Sequence, residues 1–246
     1  MKLDGKVALI TGGARMGLAM GRALAQKGVQ VLLTWRHSKA SAEEFADQIR
    51  TEGGQAWAVR CDLSKSTSVQ TLIRFLTRRW GQLDILLNMA SIYETSSIGQ
   101  KESVRHWHDH WSVHVQDSYG LSKAVLPLMK KAPTGRMIFF SDWTSASGRP
   151  RYPDLTAYYT SKMGVKGLTE SLALELAPHI LVNAVAPGPI LPPAHMSAAE
   201  RKAVEKATPL RRWGGPEEIA KAVLFLVETD FITGETIRVD GGRHLY

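Results

Sequence analysis

The sequence predicts an α/β fold in which a doubly wound parallel sheet of about seven strands carries helices on both faces. Short aliphatic runs alternate along the chain with longer amphipathic segments, which is the pattern of repeated βαβ units. A glycine-rich turn joins the first run to the first amphipathic segment. A chain of 246 residues can bury one sizeable core, so we expect a single domain over residues 1–246.

The boundaries of these elements follow from the same alternation. The aliphatic runs predict strands at Lys6–Ile10, Val29–Thr34, Gln55–Val59, Ile85–Leu87, Arg136–Phe140, Leu181–Val185 and Thr236–Val239. The amphipathic segments predict helices near Met16–Lys27, Ala40–Glu52, Ser66–Trp80, Val104–Lys130, Ala157–Leu176 and Pro216–Glu228. A proline-rich stretch from Pro187 to Pro193 interrupts regular structure, and we expect residues 189–212 to form a flap over the substrate.

Charge and composition limit the partners. The formal net charge is +8, but the basic residues are scattered among acidic ones, which favours an anionic small molecule over nucleic acid. Cys61 is the only cysteine, so no intrachain disulfide can form. We find no signal-peptide pattern and no apolar run near the roughly 20 residues that a membrane helix needs. These features predict a cytoplasmic protein that does not enter membranes.

The glycine-rich turn, TGGARMG, spans Thr11 to Gly17 and opens the first helix. Glycine lets the backbone approach a pyrophosphate closely, and the N-terminus of the helix attracts its charge. The alternative is a plain tight turn, but its place after the first strand favours a Rossmann-type dinucleotide site. The residues predicted to bind the cofactor here are Gly12, Gly13, Arg15, Met16 and Gly17.

The end of the second strand indicates which dinucleotide binds. An acidic residue that bonds the ribose of NAD is expected there, but the sequence reads TWRHS, with Arg36, His37 and Ser38. A guanidinium suits a 2′-phosphate, so we predict NADPH or NADP rather than NAD. The alternative for Arg36 is an exposed loop charge. Asp62, after the third strand, is a candidate for the adenine amino group or a helix cap.

A tyrosine and a lysine supply candidate chemistry. In AYYTSK, Tyr158 and Lys162 are four positions apart, so on a helix their side chains share a face. An ammonium neighbour and an oxidised nicotinamide are expected to lower the pKa of the phenol and to prepare it for proton transfer. Such a pair also occurs by chance in helices, and the glycine turn upstream is what favours the catalytic interpretation.

Six motifs together resemble the short-chain dehydrogenase/reductase family. They are the glycine turn, CDL at Cys61–Leu63, LNMAS at Leu87–Ser91, YYTSK at Tyr158–Lys162, VNAVAPG at Val182–Gly188 and VDGG at Val239–Gly242. The resemblance covers essentially the whole chain.

The resemblance implies that Tyr158 donates the proton in reduction and that Lys162 also holds the nicotinamide ribose. It further implies a homodimer or homotetramer that acts on a small-molecule substrate. The residues it places beside the cofactor are Asp62, Leu63, Asn88, Ala90, Pro187, Gly188 and Ile190.

The sequence departs from the family pattern at four places. The glycine turn is one residue short. His114 stands where the family has a catalytic Asn, and either relays protons or packs in the core. Pro192 stands where a Thr often contacts the cofactor.

The fourth departure concerns the catalytic Ser. Asp142 occupies that position after the fifth strand, whereas Ser145 has the customary spacing to Tyr158. We favour Asp142, because the strand fixes where the chain leaves the sheet, and Ser145 remains the alternative.

Pteridine reductases within the family resemble this sequence in having Asp at the position of Asp142. A carboxylate cannot donate a hydrogen bond to a ketone, but it accepts bonds from ring N–H and amino groups. Ser91 and Tyr93 lie where those enzymes have a Ser and an aromatic residue that stacks on the pterin. The C-terminal DGGRHL also resembles bacterial dihydromonapterin reductases.

Three functions therefore compete. The leading hypothesis is NADPH-dependent reduction of a dihydropterin-like C=N bond, with Asp142 positioning the ring. The second is reduction of a ketone or 3-oxoacyl thioester, with Ser145 polarising the carbonyl. The third is a catalytically silent NADPH-binding regulator, which the substitution at His114 motivates.

A run of histidines, HWHDHWSVH, raises the question of a metal. His106, His110 and His114 fall on one side of a helix, a spacing that permits metal binding. No HExxH pattern accompanies them, and hydride transfer needs no metal, so we expect none.

Overall fold

The computed structural model describes residues 1–12, 16–194 and 196–245. Seven parallel strands form one sheet, which confirms the predicted doubly wound α/β fold. The strands are β1 (Val7–Gly12), β2 (Gln30–Trp35), β3 (Gln55–Arg60), β4 (Ile85–Met89), β5 (Gly135–Phe140), β6 (Ile180–Pro187) and β7 (Thr236–Val239).

The spatial order of the strands places the functional edge of the sheet. The order is β3-β2-β1-β4-β5-β6-β7, so the chain reverses direction across the sheet between β1 and β4. In register, Thr11 of β1 lies beside Asn88 of β4, and Gly12 lies beside Met89. Ligands of such sheets bind at the carboxyl ends of the strands, where the strand order reverses.

Within the described part of the chain, nine α-helices cover the sheet. They are α1 (Gly17–Ala25), α2 (Lys39–Thr51), α3 (Ser66–Arg79), α4 (Ser103–Trp111), α5 (Asp117–Met129), α6 (Trp143–Ala146), α7 (Thr156–Leu176), α8 (Ala198–Lys206) and α9 (Pro216–Glu228).

The helices bury both faces of the sheet. Alternate strand residues face opposite sides, so Ile10 packs with Met20 of α1 and Ile219 of α9 on one side. On the other side, Leu9 belongs to a cluster with Val165 of α7. Because both faces are covered, the central strands are almost continuously apolar.

The predicted helix Val104–Lys130 differs from the structure in its centre. Residues Ser112–Gln116 form a π-helical turn between α4 and α5, so the prediction of one regular helix is wrong there. The turn contains His114, which is buried. Single π-helical turns within α-helices are frequent at functional sites, and no glycine or proline marks this one in the sequence.

Two further helices were absent from the sequence prediction. α6 has only four residues, and its N-cap is Asp142. α8 lies within the segment expected to form a flap, and Ser197 and Glu200 form its capping box. Residues 188–194 have neither helix nor strand, as the proline-rich stretch predicts, and the flap over 189–212 stays a prediction.

The expected homo-oligomer also stays a prediction. Trp107 and Trp111 stack on the outer face of α4 with ring planes 7° apart, and both are exposed. No helix in the described part of the chain is long and apolar enough to cross a membrane.

Candidate active site

Two adjoining cavities open at the carboxyl ends of the strands. The first, of about 270 Å³, begins at Gly12 and extends towards the end of β2. Its lining includes Gly12, Arg36, His37, Ser38, Ala90 and Ser91. This is the side of the site where the sequence predicts the adenosine half of the cofactor.

Gly12 lies at the sheet end of this cavity, where a residue with a side chain would not fit. Its φ is +66°, and a Cβ built on it would lie 2.7 Å from the Cα of Ala90. The backbones of the first and fourth strand ends are therefore in direct contact, which leaves the space above them open to a pyrophosphate. The predicted cofactor residues Gly13 and Arg15 lie outside the described residues.

The groups predicted to hold the 2′-phosphate line the same cavity. The Nε of Arg36 donates to the Nε2 of His37 at 2.6 Å, and both side chains are exposed. Asp62 accepts from the hydroxyl of Ser64 at 2.7 Å, and this bond contributes most to lowering the pKa of its carboxyl. Asp62 thus bonds within its own turn and is not the helix cap considered as its alternative, because the N-cap of α3 is Lys65. Leu63 next to it is half-buried.

Asn88 and the β6 end also fit a dinucleotide. The Oδ1 of Asn88 accepts from Thr11 at 2.9 Å, while its buried Nδ2 has no partner among the described residues. A buried amide without a partner is costly, and a bound cofactor would supply an acceptor. Gly188 lies so close to Asp240 that a Cβ would meet it at 2.5 Å.

The second cavity, of about 370 Å³, lies at the ends of β4, β5 and β6. The predicted residues that line it are Met16, Ser91, Tyr93, Asp142, Tyr158, Lys162, Pro187, Gly188 and Ile190. The structure thereby brings three of the candidate catalytic residues together with the candidate substrate residues around one space, whereas Ser145 and His114 do not line it.

Tyr158 faces Asp142 across this cavity. Its hydroxyl donates to the Oδ2 of Asp142 at 3.2 Å. Removal from water and the nearby carboxylate raise the pKa of Tyr158 well above its usual value. Burial contributes most to this rise and Asp142 adds to it, so the protein's own groups favour the protonated phenol. The lowering of this pKa by an oxidised nicotinamide stays a prediction.

Lys162 lies beneath Tyr158. Its Nζ donates to the carbonyl oxygen of Phe140 at 2.8 Å and lies 5.7 Å from the centre of the Tyr158 ring. Only 3% of Lys162 is exposed, and burial lowers its pKa to about 8. The predicted shared helix face is confirmed, since both residues belong to α7.

Asp142 and Ser145 have different surroundings. Asp142 Oδ1 accepts from the backbone N–H of Thr144 at 2.8 Å, which leaves Oδ2 directed at the cavity. Ser145 is buried, and its hydroxyl donates to the carbonyl oxygen of Tyr159 at 3.2 Å. The geometry therefore favours Asp142 as the residue that meets a substrate.

His114 connects the π-helical turn to both sides of the site. Its Nδ1 lies 2.7 Å from the hydroxyl of Ser161, and its Nε2 lies 2.8 Å from that of Ser91. Burial, Lys162 and His110 lower the pKa of His114 to about 2, so its ring is neutral. It packs edge-on against Tyr158, with 5.7 Å between ring centroids.

Tyr93 forms the open wall of the second cavity. Tyr93 is 63% exposed. Its ring packs edge-on against that of Tyr158, with 4.9 Å between the ring centroids. An exposed aromatic ring beside a cavity offers a flat ligand a stacking surface.

Six residues that line the second cavity were not predicted as site residues: Met89, Phe140, Ser141, Leu191, Pro193 and Trp213. Leu191 and Pro193 belong to the segment expected to form a flap, so their place near the site was implied without being stated. Trp213 lies one residue beyond that segment, and a large aromatic at its end was the available signal.

The fold and this site define the class of the protein. The family described as Enoyl-(Acyl carrier protein) reductase matches residues 13–244. The chain belongs to the short-chain dehydrogenase/reductase family and is an NAD(P)-dependent oxidoreductase.

Similar proteins have different names within that family. An uncharacterised oxidoreductase of Mycobacterium tuberculosis is 36% identical over 98% of this chain and 93% of its own. A 3-oxoacyl-[acyl-carrier-protein] reductase of Synechocystis is 33% identical over 99% of both chains. The crystal structure of FolM alternative dihydrofolate reductase 1 from Brucella suis, in complex with NADP, is 30% identical with a TM-score of 0.90 and covers 100% of this chain and 97% of its own.

Proposed function

We propose that the protein reduces a dihydropterin-like C=N bond with NADPH. The observation that carries this proposal is the position of Asp142, whose Oδ2 faces the cavity beside the hydroxyl of Tyr158. A carboxylate at this place favours a substrate that offers N–H donors over one that offers only a carbonyl oxygen.

The proposed preference for NADPH rests on the end of β2. Arg36, His37 and Ser38 line the first cavity, and a guanidinium binds a phosphate through paired charge-assisted bonds. The Brucella suis FolM structure holds NADP, which supports the same preference. When bound, the nicotinamide supplies the hydride.

In the proposed reaction, the protein supplies the proton and the orientation. The raised pKa keeps Tyr158 protonated, as a proton donor must be. Its proton goes to the ring nitrogen, and the hydride goes to the neighbouring carbon, so a C=N bond becomes CH–NH. Lys162, held by the carbonyl of Phe140, would offer its remaining donors to the nicotinamide ribose.

Asp142 and Tyr93 would together select the heterocycle. The carboxylate accepts from ring N–H or amino groups, and the exposed ring of Tyr93 gives a flat substrate a face to stack on. Such a contact contributes about 1 kcal/mol beyond the buried area. His114 would hold Ser91 at the edge of the same cavity.

Reduction of a 3-oxoacyl thioester is the second candidate, because the Synechocystis relative carries that name. It needs a hydroxyl that polarises the carbonyl, and Ser145 directs its hydroxyl to the backbone of Tyr159. Ser145 would have to turn towards the cavity to take this role.

The test is oxidation of NADPH, followed by the absorbance of the reduced nicotinamide. Dihydrobiopterin and dihydromonapterin are compared with an acetoacetyl thioester and simple ketones, and NADH replaces NADPH in parallel. Turnover of the pterins, lost in Asp142→Ala and kept in Ser145→Ala, supports the proposal. Turnover of thioesters or ketones alone, lost in Ser145→Ala, would reject it in favour of the second candidate.

A further inference from the structure

Three histidines one helical turn apart face the loop that follows β4. His106 and His110 belong to α4, and His114 belongs to the π-helical turn. Across from them runs the segment of residues 91–94, which we call the β4 loop. It carries Ser91 and Tyr93, which line the second cavity.

His114 holds the first residues of the β4 loop. The backbone N–H of Ile92 donates to its Nε2 at 3.2 Å. An N–H can donate only to a nitrogen that carries no proton, so the ring proton of His114 lies on Nδ1. That N–H points at the hydroxyl of Ser161, which in turn donates to the carbonyl of Tyr158 at 2.8 Å.

His110 repeats the arrangement one turn earlier. The backbone N–H of Glu94 donates to its Nε2 at 3.3 Å. Its Nδ1 lies 2.7 Å from the carbonyl oxygen of His106, which must accept, so the proton of His110 also lies on Nδ1. His110 is fully buried, and its ring lies edge-on to that of Tyr158, with 6.0 Å between the ring centroids.

His106 adds an outer contact. Its Nε2 lies 3.3 Å from the carboxylate of Glu94 and 2.9 Å from the guanidinium of Arg105. The three histidines therefore contact the β4 loop in order, His114 at Ser91 and Ile92, His110 and His106 at Glu94. Among the described residues, no group of histidine, cysteine and acidic side chains has the arrangement of a metal site.

We propose that His110 and His114 are positioning residues, which hold the backbone of the β4 loop at alternate amides and thereby place Tyr93 against Tyr158 and Ser91 at the edge of the second cavity. The two bonded amides, those of residues 92 and 94, are two positions apart and meet histidines one helical turn apart. The inference goes beyond the proposed function, because it concerns the wall of the cavity for any substrate that enters it.

The same arrangement explains why histidine serves here. Each ring must accept from a loop amide on one side and donate to the protein on the other. A neutral imidazole does both with two nitrogens in one rigid ring. The low pKa of His114 keeps that ring in its neutral form throughout the physiological range.

The first test uses amide hydrogen exchange of the wild-type protein by NMR. The N–H groups of Ile92 and Glu94 have acceptors, whereas those of Tyr93 and Thr95 have none among the described residues. We expect the amides of residues 92 and 94 to exchange about tenfold or more slowly than those of 93 and 95. Equal exchange at all four amides would overturn the proposal.

The second test uses variants of His110. His110→Phe keeps a ring of similar size and removes the acceptor, and His110→Gln restores an acceptor in its side-chain carbonyl. His108→Phe is the matched control, because His108 is exposed on the same helix. We expect His110→Phe to speed exchange in the β4 loop and to raise the KM for dihydrobiopterin about tenfold, with kcat and the Kd of NADPH little changed. His110→Gln should recover most of both effects.

Two results would contradict the proposal even if pterin reduction is established. One is faster loop exchange in His110→Phe with an unchanged substrate KM. The other is a defect of the same size in His110→Gln and His110→Phe when both melt at the wild-type temperature. If pterins are not substrates, the exchange measurements still decide whether the histidines hold the loop.

Discussion

The hydroxyl of Tyr158 donates a 3.2 Å hydrogen bond to the Oδ2 of Asp142, while the Oδ1 of the same carboxylate caps α6 through the N–H of Thr144. One side chain thus caps the helix that follows β5 and sets the charge beside the candidate proton donor. A serine hydroxyl at this position would offer a donor and no charge.

Replacement of Asp142 by Ser should separate pterin reduction from carbonyl reduction. We expect kcat/KM for a dihydropterin to fall by about 10- to 100-fold, because charge-assisted bonds to the ring are lost. Turnover of ketones should be unchanged or higher. Steady-state kinetics with both substrates measures this, and Asp47→Ser, at an exposed position of α2, is the control. Equal losses for both substrates would contradict a selecting role.

Asp142 should also govern the ionisation of Tyr158. The carboxylate and burial raise the pKa of the phenol, so removal of the charge in Asp142→Asn should lower it. Ultraviolet difference titration of the tyrosinate band, in comparison with Tyr158→Phe, identifies the contribution of this residue. The tyrosinate band of Tyr158 should appear at a lower pH in Asp142→Asn than in the wild-type protein.

Because Lys162 is buried, it should make the free energy of unfolding depend on pH. Its pKa is lowered to about 8 in the folded protein, whereas in the unfolded chain it is near 10.4. Between these values the unfolded chain binds more protons, so the free energy of unfolding from this group rises with pH from about 8 towards 10. The gain is about 1–3 kcal/mol.

The variant Lys162→Met removes this group and should lose that rise. Urea unfolding of both proteins at pH 7, 8, 9 and 9.8 measures the difference, since all other titrating groups are shared. Lys162→Met should also lose catalytic activity. Parallel pH profiles of the two proteins would show that the ammonium is not destabilised by burial.

Arg36 should decide the choice of cofactor. Arg36→Ala is expected to raise the KM for NADPH about 10- to 100-fold, because two charge-assisted bonds to a phosphate are lost. The KM for NADH should change little. Arg78→Ala, at an exposed position of α3, controls for the loss of one positive charge. A similar rise in the KM for NADPH and for NADH would show that Arg36 does not bind the 2′-phosphate.

Much of the fold could be predicted because the spacing of hydrophobic residues along the chain indicates which residues are buried. The strands, buried on both faces, stand out as short aliphatic runs, and their predicted positions agree with the structure within a few residues. Gly12, Asn88 and Asp142 each lie where a strand ends, but Asn88 and Asp142 were predicted from the family resemblance and not from the hydrophobic pattern.

The rest depends on contacts between distant parts of the chain. The role of His110 depends on the amide of Glu94, sixteen positions away, and no local pattern reveals it. The pKa of Tyr158 was expected to fall because Lys162 and an oxidised nicotinamide were considered, whereas burial and Asp142, sixteen positions away, raise it. The π-helical turn has no sequence signal, since its residues, SVHVQ, contain neither glycine nor proline.

Gly12 and Gly5 illustrate two different reasons why a position requires glycine. Both have positive φ, +66° and +73°, but a Cβ at Gly12 would lie 2.7 Å from the Cα of Ala90, whereas one at Gly5 would meet nothing within 4 Å. Gly5→Ala should therefore cost only the backbone strain of about 1 kcal/mol. Gly12→Ala adds a clash between two strand ends that cannot move apart without breaking the pairing of β1 with β4.

We expect Gly12→Ala to lower the free energy of unfolding by about 2–4 kcal/mol and to weaken NADPH binding at least tenfold, because the displaced turn no longer admits the pyrophosphate. Gly5→Ala should bind NADPH as the wild type does, since Gly5 lies on the far side of β1 from the cavity. Urea unfolding and titration of NADPH fluorescence measure the two quantities. If both variants lose the same stability and retain NADPH, then the close approach of Gly12 to Ala90 does not shape the cofactor site.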